Sequence, residues 1–186
     1  MTSPAEFVAL PPSRRSGSPY AIAVVCLGNI CRSPTAEVVL TAKLAAAGLD
    51  QRVVVRSAGT GDWHIGERMH PSSADTLAAA GYDPALHRAA QFDATWFNDY
   101  DLVLAMDSTN HADLNALAAD DSVRARVLMF RSLDPLAEGD LDVPDPWYGG
   151  PATFSDVLAI VERTAEALVH LLQREPSVQR LAPNDR

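Results

Sequence analysis

The run VVCLGNICRSPTAE, residues 24–37, constrains this chain more than any other stretch. It begins as the end of a nearly continuous apolar segment, residues 20–26 (YAIAVVC), which is how a strand buried on both faces of a parallel sheet reads. A Gly-bearing loop follows. From Ser33 and Pro34 onward the spacing is helical, with Ser33 placed to cap, Pro34 in the first turn and Gly48 as a stop. Ala36, Leu40, Leu44 and Ala47 fall on one face of that helix. A thiol, Cys26, stands at one lip of the loop and a guanidinium, Arg32, at the other. A helix N-terminus presents free N–H groups and a positive dipole end, so such a loop suits an oxyanion. The same field favours thiolate over thiol. Together these features predict attack on a bound phosphoryl group.

The rest of the chain repeats the pattern. Residues 52–57 (RVVVRS) read as a second strand ending in the turn AGTG, residues 72–80 as a short helix before Gly81, and residues 101–106 (DLVLAM) as a third strand. Asp107 is placed to cap a helix over 108–119, and residues 126–130 (RVLMF) make a fourth strand. A long acidic loop, 133–150, leads into a last helix opened by Thr153, with Phe154, Val157, Leu158, Val161, Ala165 and Leu168 on its apolar face. Strands alternating with helices predict an α/β fold, a four-stranded parallel sheet flanked by helices in a three-layer sandwich. Ligands of such sheets bind at the carboxyl ends of the strands, where Cys26, Ser57 and the loop after Phe130 all lie. One domain is expected over 19–175. Residues 1–18, rich in Pro, Ser and Gly and carrying Arg14 and Arg15, are expected to be disordered or loosely attached, and 176–186 to be a loose tail.

Composition narrows the partners. A formal net charge of −9 argues against nucleic acid or an anionic membrane surface. Any phosphate site must therefore be made positive locally, by backbone N–H groups and a few arginines. The two cysteines, Cys26 and Cys31, are too close to staple a secreted scaffold, and no C-x2-C metal motif is present. No stretch has transmembrane length and the first residues lack a signal-peptide pattern, so the cytoplasm is the default compartment, with signal-peptide-independent export left open.

CLGNICRSPTAE resembles the phosphate-binding loop of the low-molecular-weight protein tyrosine phosphatases. The resemblance continues in order through SAGTGDWHIG (57–66), HRAAQ (87–91), DLVLAMDSTN (101–110) and VPDPWYGG (143–150). It spans residues 20–173, far more than a lone C-x5-R, and its Trp63 region is closest to actinobacterial members. It implies a flavodoxin- or Rossmann-like phosphatase fold and a reaction that needs no metal and no cofactor. Cys26 is then the nucleophile. Arg32 clamps phosphoryl oxygens in a planar fork that lysine cannot reproduce. A phenolate leaving group needs a proton. Several acids share the loop, and the resemblance singles out Asp145 as its source, with Asp142 as the alternative.

Around these, Gly28 lets the backbone turn close to an anion and Asn29 tolerates a left-handed backbone. The resemblance groups Asn29, Ser33, Ser57 and His87 into a network beneath the loop, although spacing alone reads His87 equally as an ordinary loop histidine. Ser33 also stands ready to stabilise the Cys26 thiolate. Trp63, Trp147 and Tyr148 read as aromatic walls or as core, and Leu27 and Ile30 as apolar lining. Cys31 reads as a small buried residue or, by resemblance, as partner in a reversible disulfide with Cys26.

The resemblance thus implies hydrolysis of phosphotyrosine in proteins and of small aryl phosphates, with a cognate tyrosine kinase as a further candidate partner. Arsenate reduction on the same fold is the first alternative. It relies on further cysteines, and none follows Cys31. Phosphoarginine hydrolysis is another, but relatives directed to it carry Thr where this chain has Ile30. A non-catalytic phosphoprotein-binding module would not need Cys26, Arg32 and Asp145 together.

Overall fold

Cys26 closes the central strand of a parallel sheet, and the chain arrives there by a short path. The computed structural model describes residues 8–180. Strand β1 (Tyr20–Cys26) is followed by helix α1 (Arg32–Ala46), β2 (Val53–Gly59) and α2 (Pro71–Ala79). Then come β3 (Leu102–Ala105), α3 (Ser108–Leu117), a short α4 (Asp121–Arg124) and β4 (Val127–Met129). The long α5 (Pro151–Arg174) and a short α6 (Pro176–Gln179) complete the described chain. The four strands are all parallel in the order β2-β1-β3-β4. Val24 pairs with Ser57 on one side and with Leu104 on the other. The connections from β1 run outward in both directions, so the crevice beyond its carboxyl end is the topological switch point where such sheets bind ligands.

The pleat of β1 divides the core. Tyr20, Ile22, Val24 and Cys26 face the layer of α1, α2 and α5, with Leu40, Leu44, Leu77, Val161 and Leu168. Ala23 and Val25 face the opposite layer with Phe92, Phe97, Leu114 and Ala118. Every residue of β1 is buried, because both faces are covered. The α/β sandwich expected from the sequence is therefore the architecture found.

Element ends differ where hydrogen bonding overrides pattern. β2 continues beyond Ser57 to Gly59, since Ala58 and Gly59 stay paired with Val25 and Cys26. Helix α5 starts at Pro151 rather than Thr153, its proline taking the first-turn position that lacks an N–H partner in any case. The last segment is not simply loose: α6 forms, capped by Glu175, because Val178 is fully buried in the core. Residues 8–18 are likewise docked rather than loosely attached. Tyr20 Oη donates to the Pro11 carbonyl at 2.7 Å, the Arg14 backbone N–H donates to Asp101 at 2.8 Å, and Arg14 Nη1 donates to the Phe97 carbonyl at 2.6 Å. Asp101 is a buried carboxylate that also accepts the Ala21 N–H, and this is why the extension has something to hold. The outer parts of both expectations, 1–7 and 181–186, lie outside the described residues.

The acidic loop is pinned at its root. Asp134, with no exposed side-chain surface, takes Arg163 Nε and Nη2 of α5 in a two-pronged pair, both at 2.6 Å. Arg131 Nη1 donates to the Asp142 carbonyl at 2.8 Å, and the Val143 N–H donates to Met106 at 2.8 Å. The hydrogen bonds from Arg163, against the opposing effect of burial, hold the Asp134 carboxyl below its ordinary value. A depressed carboxylate pKa stabilises the fold above the unfolded-state value and loses that contribution as pH falls through the folded-state value. Arg163→Met leaves Asp134 buried without its fork and should cost about 3 kcal/mol at neutral pH. Urea denaturation of both proteins from pH 7 downward checks this, and the gap should close as pH falls below about 4.

Candidate active site

The loop from Leu27 to Cys31 turns back on itself at Asn29, whose φ of 55° is the one positive value among the described non-glycine residues. That conformation is uncommon for an L-residue and is found most often at Asn. Its side chain then has work on every atom. Asn29 Nδ2 donates to Ser33 Oγ and to Ser57 Oγ, each at 2.9 Å, and Oδ1 accepts the Ala90 N–H at 2.9 Å. The Asn29 carbonyl accepts from His87 Nε2 at 2.8 Å. Asn29, Ser33, Ser57 and His87, grouped in the sequence reading, thus lie together beneath the loop, all buried.

Two further residues complete this support. Glu37, on α1 one turn after Ser33, accepts Ser57 Oγ at 2.5 Å and the Ser57 N–H at 3.1 Å. The same oxygen lies 3.7 Å from His87 Nδ1. Gly59 permits the loop to sit where it does. A Cβ there would fall 2.6 Å from the Leu27 carbonyl and 3.2 Å from the Asn29 nitrogen, both backbone atoms. A helical spacing of four between Ser33 and Glu37 is the one local signal that could have pointed to the carboxylate's place. Nothing local pointed to Gly59.

Cys26 Sγ accepts the Asn29 N–H at 3.3 Å and lies 3.0 Å from Ser33 Oγ. Ser33 does not cap the helix as expected. Cys31 holds the N-cap position of α1 without a side-chain bond, while the Ser33 hydroxyl turns inward to Cys26, Asn29 and the Ala58 carbonyl. With Asn29 donating to it, the Ser33 hydroxyl has one proton to give, and Cys26 Sγ at 3.0 Å and the Ala58 carbonyl at 3.2 Å are the acceptors within reach. Cys31 is buried as well, and burial pushes its thiol up to about 12, with smaller opposed effects from Ser73 and from neighbouring charges.

Arg32 opens α1 and is almost wholly enclosed, with 4% of its side chain exposed. Its Nη1 donates to Asp107 at 2.5 Å and to the Val143 carbonyl at 3.3 Å, and its Nη2 donates to Asp145 at 2.8 Å. Burial opposes its charge, but Cys26, the Asp107 hydrogen bond and the Asp145 carboxylate outweigh that, and its pKa is raised. Asp107 was expected only as a helix cap. It does cap α3 through the Asn110 N–H at 2.7 Å, and its other oxygen holds Arg32. Asp142 accepts the Ser108 N–H and hydroxyl at 2.7 and 3.1 Å, so its carboxylate is engaged by the start of α3.

A cleft of about 300 Å³ stands over this loop. Its floor is Cys26, Leu27, Gly28, Ile30, Cys31 and Arg32, its walls are Trp63, Trp147 and Tyr148, and Asp145 sits at the lip. His64 joins the walls and was not foreseen. Trp63, Trp147 and Tyr148 are 66%, 53% and 85% exposed, so they are walls rather than core. Gly61 seats the Trp63 ring, since a Cβ there would lie 1.7 Å from it. Among the described residues no group of three or more His, Cys, Asp or Glu side chains is placed to hold a metal ion. No helix among them is long and apolar enough to cross a membrane.

A parallel sheet with a thiol, a buried guanidinium and a carboxylate converging beyond its switch point defines an α/β enzyme that handles an oxyanion. Comparison with known proteins gives the family. The sequence profile of the low molecular weight phosphotyrosine protein phosphatases matches residues 21–179. The chain is 44% identical over 157 residues to the low molecular weight protein-tyrosine-phosphatase of Streptomyces coelicolor, covering 84% of this chain and 95% of that one. It is 43% identical over 151 residues to the low molecular weight protein-tyrosine phosphatase A of Mycobacterium tuberculosis, covering 81% and 90%. The crystal structure of YfkJ from Bacillus subtilis superposes with a TM-score of 0.80 at 31% identity, covering 86% of this chain and 98% of that one. The chain belongs to the low-molecular-weight protein-tyrosine-phosphatase family and is a phosphatase.

Two outcomes follow from the geometry. Gly59→Ala should displace the loop at Leu27 and Asn29 and abolish vanadate binding while the protein stays folded, as read by titration calorimetry and circular dichroism. Iodoacetamide at pH 7 should leave Cys31 unmodified in the folded protein, because burial keeps it a thiol; peptide mass mapping checks this.

Proposed function

We propose that the protein hydrolyses phosphotyrosine in protein substrates, and small aryl phosphates, through a cysteinyl-phosphate intermediate. The observation that carries this reading is that Cys26 Sγ, which accepts the Asn29 N–H of the loop, shares one cleft with Arg32 and Asp145. In the first step Sγ forms a bond to phosphorus as the bond from phosphorus to the phenolic oxygen breaks. Arg32 and the loop amides hold the equatorial oxygens, where charge is carried through the transition state. Asp145 supplies its proton to the departing phenolate. In the second step a water attacks phosphorus and gives a proton to the Asp145 carboxylate, the P–S bond breaks, and the thiolate returns to its hydrogen bonds from Asn29 and Ser33.

Arg32 Nη2 donates to the Asp145 carboxylate at 2.8 Å, from the same fork that would bind phosphoryl oxygens. The dianion competes with that carboxylate for the guanidinium. Once released from the guanidinium, the Asp145 carboxyl group at the lip is free to turn to the leaving group. The aromatic walls favour a flat ring whose stem is long enough to bring phosphate to the floor, and Ile30 offers an aliphatic contact there. Cytoplasmic action on phosphoproteins made by a tyrosine kinase follows from the same reading, without a metal or cofactor in the chemistry.

Cys26→Ser should abolish turnover while retaining vanadate affinity, because the hydroxyl is a far weaker nucleophile and the amides remain. Asp145→Asn should lose about a hundredfold or more in single-turnover rate on a phosphotyrosine peptide and much less on nitrophenyl phosphate, whose leaving group needs no proton. Equal losses on the two substrates would remove Asp145 from the acid's role.

A further inference from the structure

We infer that His70, which lies outside the cleft and is not among its lining residues, is a positioning residue for the segment that carries Asp145. The inference rests on the reading of Asp145 as general acid. The root of the acidic loop is held by Asp134, Arg131 and Val143, as described above. Beyond Asp145, Pro146 is buried and its carbonyl accepts the Gly149 N–H at 3.1 Å, but Trp147 and Tyr148 stand largely exposed. The Trp147 N–H donates to Asp145 Oδ1 at 3.0 Å, tying the indole-bearing residue to the carboxyl group itself. Its ring then needs a support, and His70 provides one.

The His70 ring meets Trp147 edge-on, with centroids 5.3 Å apart and planes at 72°. On its other face it stacks on Phe154 of α5, at 5.4 Å and 12°. Phe154 packs in turn with Ile30, Cys31 and Ala89, so the ring is backed by the phosphate-binding loop. The His70 backbone N–H donates to the Ile30 carbonyl at 2.8 Å. Its Nδ1 accepts the Ser72 N–H at 3.2 Å and caps α2. One residue therefore touches the loop that holds phosphate, the helix after it, the long helix and the wall next to the acid. His64 also approaches Trp147, but at 6.4 Å, and its ring is engaged by Glu67 at 2.8 Å. The ring of His70 sets where Trp147 stands, and through the Trp147 backbone N–H on Oδ1, beside the Arg32 bond to Oδ2, it helps set the direction of the Asp145 carboxyl group.

The two duties of His70 separate by substitution. His70→Asn keeps a cap but has no ring. His70→Phe keeps the ring but cannot cap. The readout is the ratio of single-turnover rates on nitrophenyl phosphate and on a phosphotyrosine peptide, which rises when the acid is misplaced. His70→Asn should raise that ratio roughly two- to tenfold, the range an edge-on aromatic contact supports. It should keep its Tm and its vanadate affinity, since the bond to Ile30 comes from the backbone. His70→Phe should show the normal ratio with a lowered Tm. In a Trp147→Leu background, His70→Asn should change the ratio no further. A normal ratio in His70→Asn, a ratio in His70→Phe as high as in His70→Asn, or additive effects with Trp147→Leu would each overturn the inference. Asp145→Asn run alongside separates the two readings. If it raises the ratio and His70→Asn does not, only this inference fails. If it leaves the ratio unchanged, the acid assignment fails and takes this inference with it.

Discussion

A guanidinium buried at the first turn of α1 organises the site. Burying a charge without partners is costly, so Arg32 can lie there only if other segments bring it acceptors. They come from two segments far from it in sequence: Asp107, just beyond β3, and the acidic loop, through the Val143 carbonyl and Asp145. Each contact fixes the turn or loop that carries it. The order of the site is thus the order imposed by compensating one cation. A family built on this arrangement has a positive centre that stays charged, in a chain whose net charge is −9.

The second constraint is the shape of the loop around Cys26. The Asn29 N–H reaches sulfur where the backbone is left-handed, and Gly59 lets β2 come within contact of Leu27. The network of Asn29, Ser33, Ser57, Glu37 and His87 then leaves little freedom for either residue. Such rigidity matters for an oxyanion site. Donors fixed in advance need no reorganisation when charge develops. The thiol is held by the same network that shapes the loop, through the Asn29 N–H and the Ser33 hydroxyl.

Much of this was legible in the sequence. The apolar run 20–26 and the helical spacing after Pro34 placed β1 and α1, since buried strands and amphipathic helices leave distinct periodicities. Strand ends were less legible. Ala58 and Gly59 carry no strand signal of their own, and they pair because β1 continues beside them. The docked residues 8–18 and α6 were missed for a related reason. Their composition is that of loose chain; bonds to Asp101, Tyr20 and the Phe97 carbonyl hold the first, and the burial of Val178 in the core holds the second. In the site, Cys26, Arg32 and Asn29 stood out by residue type and position. Asp107 did not, because its local duty as a helix cap explained it fully, and a second contact to a residue 75 positions away leaves no local mark.

By itself the sequence determined the alternation of strands and helices, the thiol at a strand end and the anion-binding loop after it, because these follow from local periodicity and local backbone preference. Only the tertiary structure decided which carboxylates meet Arg32, that Ser33 faces sulfur instead of capping a helix, and that His70 stands between Phe154 and Trp147. Those are contacts between segments whose separation in sequence says nothing of their distance in space. They are settled by which buried polar groups must find partners and which rings must fill the same volume, and both are known only once the sheet has brought its ends together.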